Sequence, residues 1–573
     1  MKRSHCGWAL LSIFAVLLTG ILALPIQAVA QPGGLRLPQS VEPDVRLEQL
    51  QQYQAPQSIP EVKVPETAPT RAPAGAETVR FVLRGLEVQG VTAYPKSVIE
   101  HVYEQRIGTE TSLAEIYNIA EEIQRLYRKD GFFLARAIVP AQTSSEGRFR
   151  IQVFEGYVSD VVVEGDIGRA GNLVKDYLRN LPSERPLTLK TLERYLLLVN
   201  DIPGVVAKGT LRPATDQVGA AQLIASVERR VFDGMLTVDN LGSSFTGVWE
   251  ASALLSLNSF TSLGDGWTLG GLLSDPSDGF AENNQRVIQA GGSVRPWSSG
   301  IYIKSLFSLG HSNPGGNIAE LDVISDKMLV SAIVGYPIIR SRDLNLFVEA
   351  GLDVINTDTN IFDDITFSRD KLRVLHLTAF GDYHDAWRGS NFWSLGLRQG
   401  LPFLDASESG DEFLSRSDGS GVFTTLNMKV SRLQQIFGPF ALLGKAAGQY
   451  AFSSVLIDEE LGVGGTRFGR GYNPGELSGD HGVGATLEFQ YTRPVEHRFL
   501  HRYQLFGFYD FGNVWDRGTG LSDSLSSAGG GVRAWFTPRF SVELALAKPL
   551  THESLRGGDN KDLQVLFQGF ALF

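Results

Sequence analysis

Cysteine is nearly absent from this 573-residue sequence: there is one, Cys6, and it lies in the first segment. Lys2 and Arg3 precede an apolar run from Trp8 to Leu24, and Ala28-Val29-Ala30 places small residues where a signal peptidase needs them. This pattern predicts a secretory signal peptide over residues 1–30, cut before Gln31. Its removal leaves a chain without cysteine, which excludes disulfides, thiol catalysis and cysteine-ligated metals. Long apolar runs are absent too. Beyond the signal none approaches the ~18 residues of a membrane-crossing helix. Positive charge is in deficit, with 52 Lys and Arg against 63 Asp and Glu for a net −11, so nucleic acid is a disfavoured partner. Glycine is plentiful, at 62 residues, and aromatics reach 10%. A soluble protein fits these bounds, and so does an outer-membrane β-barrel, whose strands alternate rather than run apolar.

Residues 31–78 are rich in Pro, Gln, Ala and Glu and read as a linker. Within them Val45, Leu47, Leu50 and Tyr53, with Pro43 near the start, predict a short helix over 41–53. An internal repeat follows. Leu86-Glu-Val-Gln-Gly90 matches Val161-Val-Val-Glu-Gly165, and Arg148-Phe-Arg-Ile-Gln-Val153 matches Gln222-Leu-Ile-Ala-Ser-Val227. The helix opened by Thr111-Ser-Leu matches Leu187-Thr-Leu. Each copy, 79–155 and 156–230, reads strand, helix, helix, strand, strand, with two helices on one face of a three-stranded sheet. Leu113, Ile116, Ala120, Ile123 and Tyr127 supply a core face at helical spacing.

From residue 231 to Phe573 the texture becomes strand and turn. About sixteen candidate strands leave about 21 residues for each strand with its connection, as tilted membrane strands of ~9–11 residues require. Ala485, Leu487, Phe489 and Tyr491 point one way, and Gly484, Thr486, Glu488, Gln490 and Thr492 the other. Leu563 to Phe573 keeps the alternation and reads as the closing strand, although Leu566-Phe-Gln-Gly569 resembles part of a protease site. The fold class is a membrane all-β protein with α+β modules, a 16-stranded transmembrane barrel preceded by two such modules.

Enzyme signals fail on inspection. Gly310-His-Ser-Asn-Pro314 ends in Pro where a nucleophile elbow needs Gly. Gly462-Val-Gly-Gly-Thr-Arg467 puts Arg in the last glycine position of a dinucleotide fingerprint. His481, His497 and His501 read as rim or loop residues, and Asp239, Asp265, Asp275 and Asp278 as loop carboxylates. No metal, cofactor or catalytic residue is expected. The run Arg467-Phe-Gly-Arg-Gly-Tyr-Asn-Pro-Gly-Glu-Leu-Ser-Gly-Asp480 is different. No helix follows it to make a phosphate loop, and an ordinary loop stays open but does not explain a second feature downstream. Downstream, period-two alternation sets Phe506, Phe508, Asp510 and Gly512 on one strand face. A charge facing lipid costs up to ~2–4 kcal/mol at mid-bilayer, less for an acid, so Asp510 and Glu488 are expected in the lumen, with Arg470 as partner.

Leu461-Gly-Val-Gly-Gly-Thr-Arg-Phe-Gly-Arg-Gly-Tyr472 with Leu477-Ser-Gly-Asp480 resembles the lumen-inserted loop of two-partner secretion transporters, the hemolysin and adhesin secretion/activation proteins. In that family an Arg-Gly-Tyr/Phe tip meets a Phe-x-Asp-x-Gly strand, matched here by Arg470-Gly471-Tyr472 and Phe508-x-Asp510-x-Gly512. Gly469 stands where the family usually has an aliphatic residue. The resemblance extends from Val79 onward and makes the twin repeats look like two POTRA domains, through Arg136-Ala-Ile-Val-Pro-Ala-Gln142 and Val153-Phe-Glu-Gly156. It implies a lumenal hairpin over 452–480 acting as a latch through Arg470, Gly471, Tyr472, Asp510, Phe508, Gly512 and Glu488. It also implies a plug at 41–53 and export of a large β-helical exoprotein met unfolded in the periplasm. POTRA edge strands bind such cargo by strand addition, and Phe133, Leu134, Ala135, Arg136, Ala137, Ile138 and Val139 are the expected edge. Outer-membrane lipid, the barrel-assembly machinery and the exoprotein are the implied partners of a monomer. The alternatives are an insertase of the same superfamily, which usually carries more POTRA domains, and a diffusion porin, which needs neither POTRA repeats nor the arginine hairpin.

Overall fold

The β-rich half of the chain closes on itself. Sixteen antiparallel strands, from Phe232–Asp239 to Gln564–Leu572, pair in sequence order, interrupted only by the hairpin within 452–480. The first and last strands seal the ring from Met235↔Leu572 to Asp239↔Gln568. The computed structural model describes Leu37, residues 39–43, 62–63 and 71–573, apart from 144–145, 166, 215–216, 276–283, 363–364, 519 and 558–560. The expected signal peptide lies outside the described residues, as does the predicted 41–53 helix beyond Pro43.

Alternation decides which side of the wall each residue faces. Leu487, Phe489, Leu505 and Tyr509 are exposed on the outside, while Glu488, Gln490, Phe506, Phe508 and Asp510 are buried inside. An apolar exterior and polar interior is what lipid imposes on a closed sheet. Several strands in the middle of the barrel are longer than the bilayer needs, with Ile365–His384 reaching 20 residues.

Two α+β modules precede the barrel. The first holds α1 (Lys96–Tyr103) and α2 (Leu113–Lys129). Its strands are β2 (Arg80–Val82), β3 (Gly85–Gln89), β4 (Glu110–Ser112), β5 (Arg136–Ile138) and β6 (Arg148–Phe154), after a linker strand β1 (Val62–Lys63). Its main sheet runs β3-β6-β5, with β3 parallel and β5 antiparallel to β6. Of the predicted face of α2, Ile116, Ala120, Ile123 and Tyr127 are buried and Leu113 is half-buried, and Ile119 joins them. The second module holds β7 (Tyr157–Glu164), α3 (Gly171–Leu178), α4 (Leu189–Asn200), β8 (Val205–Pro213) and β9 (Ala220–Arg229). Its sheet has four strands rather than three, because β1 pairs in parallel with β8, Val62 opposite Gly209.

The edge expected over 133–139 is shorter than the apolar run suggests. Only Arg136–Ile138 is strand. Phe133 and Leu134 pack against the core of the second module, and Gly156 lets this turn approach, since a Cβ there would lie 2.2 Å from that of Leu134. Backbone bonds from Leu189 to Gly131 (2.9 Å) and from Leu187 to Gly156 (3.0 Å) complete the junction. The second module meets one rim of the barrel through Arg340, whose Nε and Nη2 donate to Asp201 at 3.0 and 2.7 Å.

Glu155, in the Val153-Phe-Glu-Gly156 motif, ties the first module together. It accepts from the amides of Thr92 (2.7 Å) and Ala93 (2.8 Å) and from the Tyr127 hydroxyl (2.6 Å). Burial works to raise its carboxyl, but these bonds and the Thr92 hydroxyl outweigh it and hold the group below the ordinary glutamate range. A carboxylate with a depressed folded pKa stabilises above its unfolded pKa, and that contribution is lost as pH falls through the folded value. Glu155→Gln is therefore expected to lower the stability of the first module at pH 7 by roughly 1–2 kcal/mol after allowance for its partial exposure. Calorimetry on the full-length protein should find the gap between variant and wild type narrowing as pH falls below 4.

Candidate functional site

The loop of residues 452–480 connects the Phe440–Ala451 and His481–His497 strands and folds back into the lumen rather than out to solvent. A short ribbon, Leu461–Val463 against Leu477–Gly479, stiffens it. Its tip presses on bare wall. At Gly512 a Cβ would come within 2.7 Å of the Val463 Cβ, and at Gly471 one would meet the Pro549 backbone nitrogen at 2.9 Å. Gly469 has φ +157°, and a Cβ there would meet Leu525 at 2.5 Å, so the aliphatic residue usual in the family has no room at this position.

Arg470 fills the space these glycines leave. Its Nε and Nη2 donate to the two oxygens of Asp510 at 2.9 and 3.0 Å, and its own amide adds a third bond at 3.1 Å. Nη1 donates to Glu488 at 2.8 Å. The guanidinium lies 3.4 Å from the ring centroid of Phe508, so one fork is held edge-on by two carboxylates and face-on by an aromatic. Thr486 (2.9 Å) and Ser527 (3.4 Å) also donate to Asp510. Tyr472 is fully buried and donates from its hydroxyl to the Ser526 carbonyl (3.2 Å), pinning the tip to the next strand. Of the residues expected in the hairpin site, Arg470, Phe508, Asp510 and Glu488 meet directly, while Gly471 lies against Pro549, Gly512 against Val463 and Tyr472 against Ser526.

Four cations that the sequence reading does not single out complete the ion pairs of the hairpin. Arg533 donates to both oxygens of Glu488, at 2.6 and 3.2 Å, so this acid holds two arginines. The parity that sets Arg533 on the lumen face was available from the Gly529–Trp535 alternation. The other three grip the root of the hairpin, where Asp458, Glu459 and Glu460 are consecutive. Lys327 pairs with Asp458. Arg398 holds Glu459 through a fork at 2.7 and 2.6 Å. Arg416, from the loop after the Gly389–Gly400 strand, holds Glu460 and Asp480, each at 2.7 Å. Three adjacent acids in a barrel loop were the signal, since each needs a cation when removed from water.

The N-terminal segment sits on this root. Gln39 donates to the carbonyls of Ile457 (3.3 Å) and Glu460 (3.4 Å), Glu42 shares Lys327 at 3.2 Å, and Ser312 donates to the Val41 carbonyl at 2.5 Å. Of the expected rim histidines, His481 is buried between Tyr450 and Trp515 at the outer end of its strand. No cluster suited to a metal ion occurs among the described residues.

Residues 222–534 match the haemolysin secretion/activation protein ShlB/FhaC/HecB family, and residues 81–156 match the ShlB-type POTRA domain. The chain belongs to the haemolysin secretion/activation family. The heme/hemopexin transporter protein HuxB of Haemophilus influenzae (strain 86-028NP) is 25% identical over 465 residues, 79% of this chain and 80% of that one. The outer membrane transporter CdiB of Dickeya dadantii is 20% identical over 65% of each chain. Among solved structures, CdiB from Escherichia coli superposes with a TM-score of 0.72 at 19% identity, covering 92% of this chain and 95% of that one. CdiB from Acinetobacter baumannii gives 0.65 at 17% identity, covering 92% and 97%. The protein is an outer-membrane β-barrel transporter of the two-partner secretion type, with its POTRA modules on the periplasmic side.

Proposed function

We propose that the 452–480 hairpin is a lumenal latch whose seated position is required for export of the partner exoprotein, a large β-helical cargo received unfolded by the POTRA modules. The observation that carries this reading is the fork of Arg470 across Asp510 and Glu488. The side chains are 12%, 1% and 3% exposed, so the pair belongs to the desolvated regime. A wet pair would contribute ~0–1 kcal/mol, whereas removing one partner of a desolvated pair costs ~3–5 kcal/mol by stranding the other charge. The barrel works as a monomer inserted by the barrel-assembly machinery. HuxB is by its name a heme/hemopexin transporter, and a cargo concerned with heme is one candidate for this chain. The N-terminal segment, seated on the hairpin root through Gln39 and Glu42, begins the plug that closes the resting lumen. Main-chain pairing at a POTRA edge, the Arg136–Ile138 strand in the first module or β8 in the second once β1 has left it, selects the cargo.

Arg470→Ala is expected to abolish cargo in the medium while heat-modifiable barrel persists in outer-membrane fractions. Normal export from that variant would return the hairpin to the status of an ordinary loop. Deletion of residues 31–60 should raise single-channel conductance in planar bilayers, and unchanged conductance would leave the segment without a plugging role.

A further inference from the structure

Strand addition needs an edge whose outward backbone groups are unclaimed. In the second module one such position is claimed from within. Ala207 on β8 donates its N–H to Asn200 Oδ1 at 2.6 Å and accepts from Asn200 Nδ2 at 3.3 Å. Asn200 is buried at the end of α4, and its Nδ2 also donates to the Leu196 carbonyl at 3.1 Å, so the amide is held by its own helix. Because Ala207 turns both backbone groups away from β9, the period of an antiparallel strand turns those of Gly209 and Leu211 the same way. Gly209 is where β1 begins to pair, opposite Val62.

The first module repeats the device. Gln124, buried on α2, accepts from the Ala137 N–H at 3.3 Å. The two amides are equivalent by position, since Gln124 lies as far from the start of α2 at Leu113 as Asn200 does from the start of α4 at Leu189. The clamped residues are equivalent by register as well: Ala137 pairs with Val153 and Ala207 with Val227, the matching ends of the repeated strands. The strands differ beyond the clamp. β5 ends at Ile138, one residue past Ala137, while β8 continues through Lys208 to Pro213.

We propose that Asn200 is the register stop for strand addition on the second module and that Gln124 closes the equivalent edge of the first, so that an extended cargo segment displaces β1 and pairs with β8 beyond Ala207, at Gly209–Leu211. This rests on the reading that the POTRA modules recognise cargo by main-chain pairing. The occupant is an extended polypeptide in the parallel sense that β1 already adopts on the same residues. Lys208 and Arg212 flank that stretch on its exposed face, which suits cargo with acidic side chains four residues apart.

The test uses the full-length chain, whose only cysteine precedes Gln31. Lys63→Cys is combined with Thr210→Cys, its partner in the present register, or with Lys208→Cys, its partner after a slip of two residues. A short bifunctional thiol reagent should join the first pair and leave the second at background. Asn200→Leu frees Ala207, and the Lys63→Cys/Lys208→Cys link should then rise to a yield comparable with that of Lys63→Cys/Thr210→Cys. Asn200→Asp, which keeps the acceptor for the Ala207 N–H, should retain the original register. Asn200→Ala serves in place of the leucine variant if that chain fails to yield heat-modifiable barrel. A slipped link that stays at background in both the leucine and alanine variants overturns the register stop. Export measured in the same cells separates the two claims, because a slipped link with unchanged export keeps the role of Asn200 and removes β8 from cargo recognition.

Discussion

A guanidinium taken out of water inside the barrel is the constraint on which the rest of the lumen depends. Arg470 cannot be seated there without acceptors, and Asp510 and Glu488 supply them from neighbouring strands of one wall. Those acids in turn require the lumen face, because the opposite face meets lipid. The fork must also come close enough to bond. That explains the run of glycines at the tip and Gly512 on the wall, where side chains would hold loop and barrel apart. Phe508 closes the remaining face of the guanidinium and keeps the pair dry.

The hairpin is held at two ends with opposite polarity. At the tip a cation of the loop meets acids of the wall. At the root three acids of the loop meet Lys327, Arg398 and Arg416. The N-terminal segment joins the second set through Glu42 on Lys327, so that cation serves two segments at once. Displacing either segment changes the partners available to the other. The tip has a reserve as well. When Arg470 withdraws, Glu488 keeps Arg533, and Asp510 keeps the hydroxyls of Thr486 and Ser527. The wall is therefore less destabilised by an open hairpin than an isolated buried pair would be.

Much of this was legible in the amino-acid sequence because membrane strands leave few choices. Alternation at 484–492 and 506–512 places Glu488 and Asp510 in the lumen, and the glycine-flanked Arg470 is the nearby cation that can turn toward them. The sixteen strands follow from the same period. The root contacts were not legible. Asp458, Glu459 and Glu460 are visible as a run, but their partners come from three separate parts of the chain, and a single sequence carries no pairing information. The run 133–139 misled for another reason. Its apolar residues read as one strand, yet Phe133 and Leu134 are apolar because they pack against the second module, so tertiary burial rather than strand propensity sets their identity. The fourth strand of the second module comes from a linker whose composition carries no strand signal.

The central claim is geometric: one planar fork must reach Asp510 and Glu488 together, and charge alone does not suffice. Lysine at this position preserves the charge and removes the fork. The ratio of exported cargo to inserted, heat-modifiable barrel in an Arg470→Lys strain measures the difference. The account predicts a ratio near that of a strain lacking the side chain altogether. A wild-type ratio would contradict it.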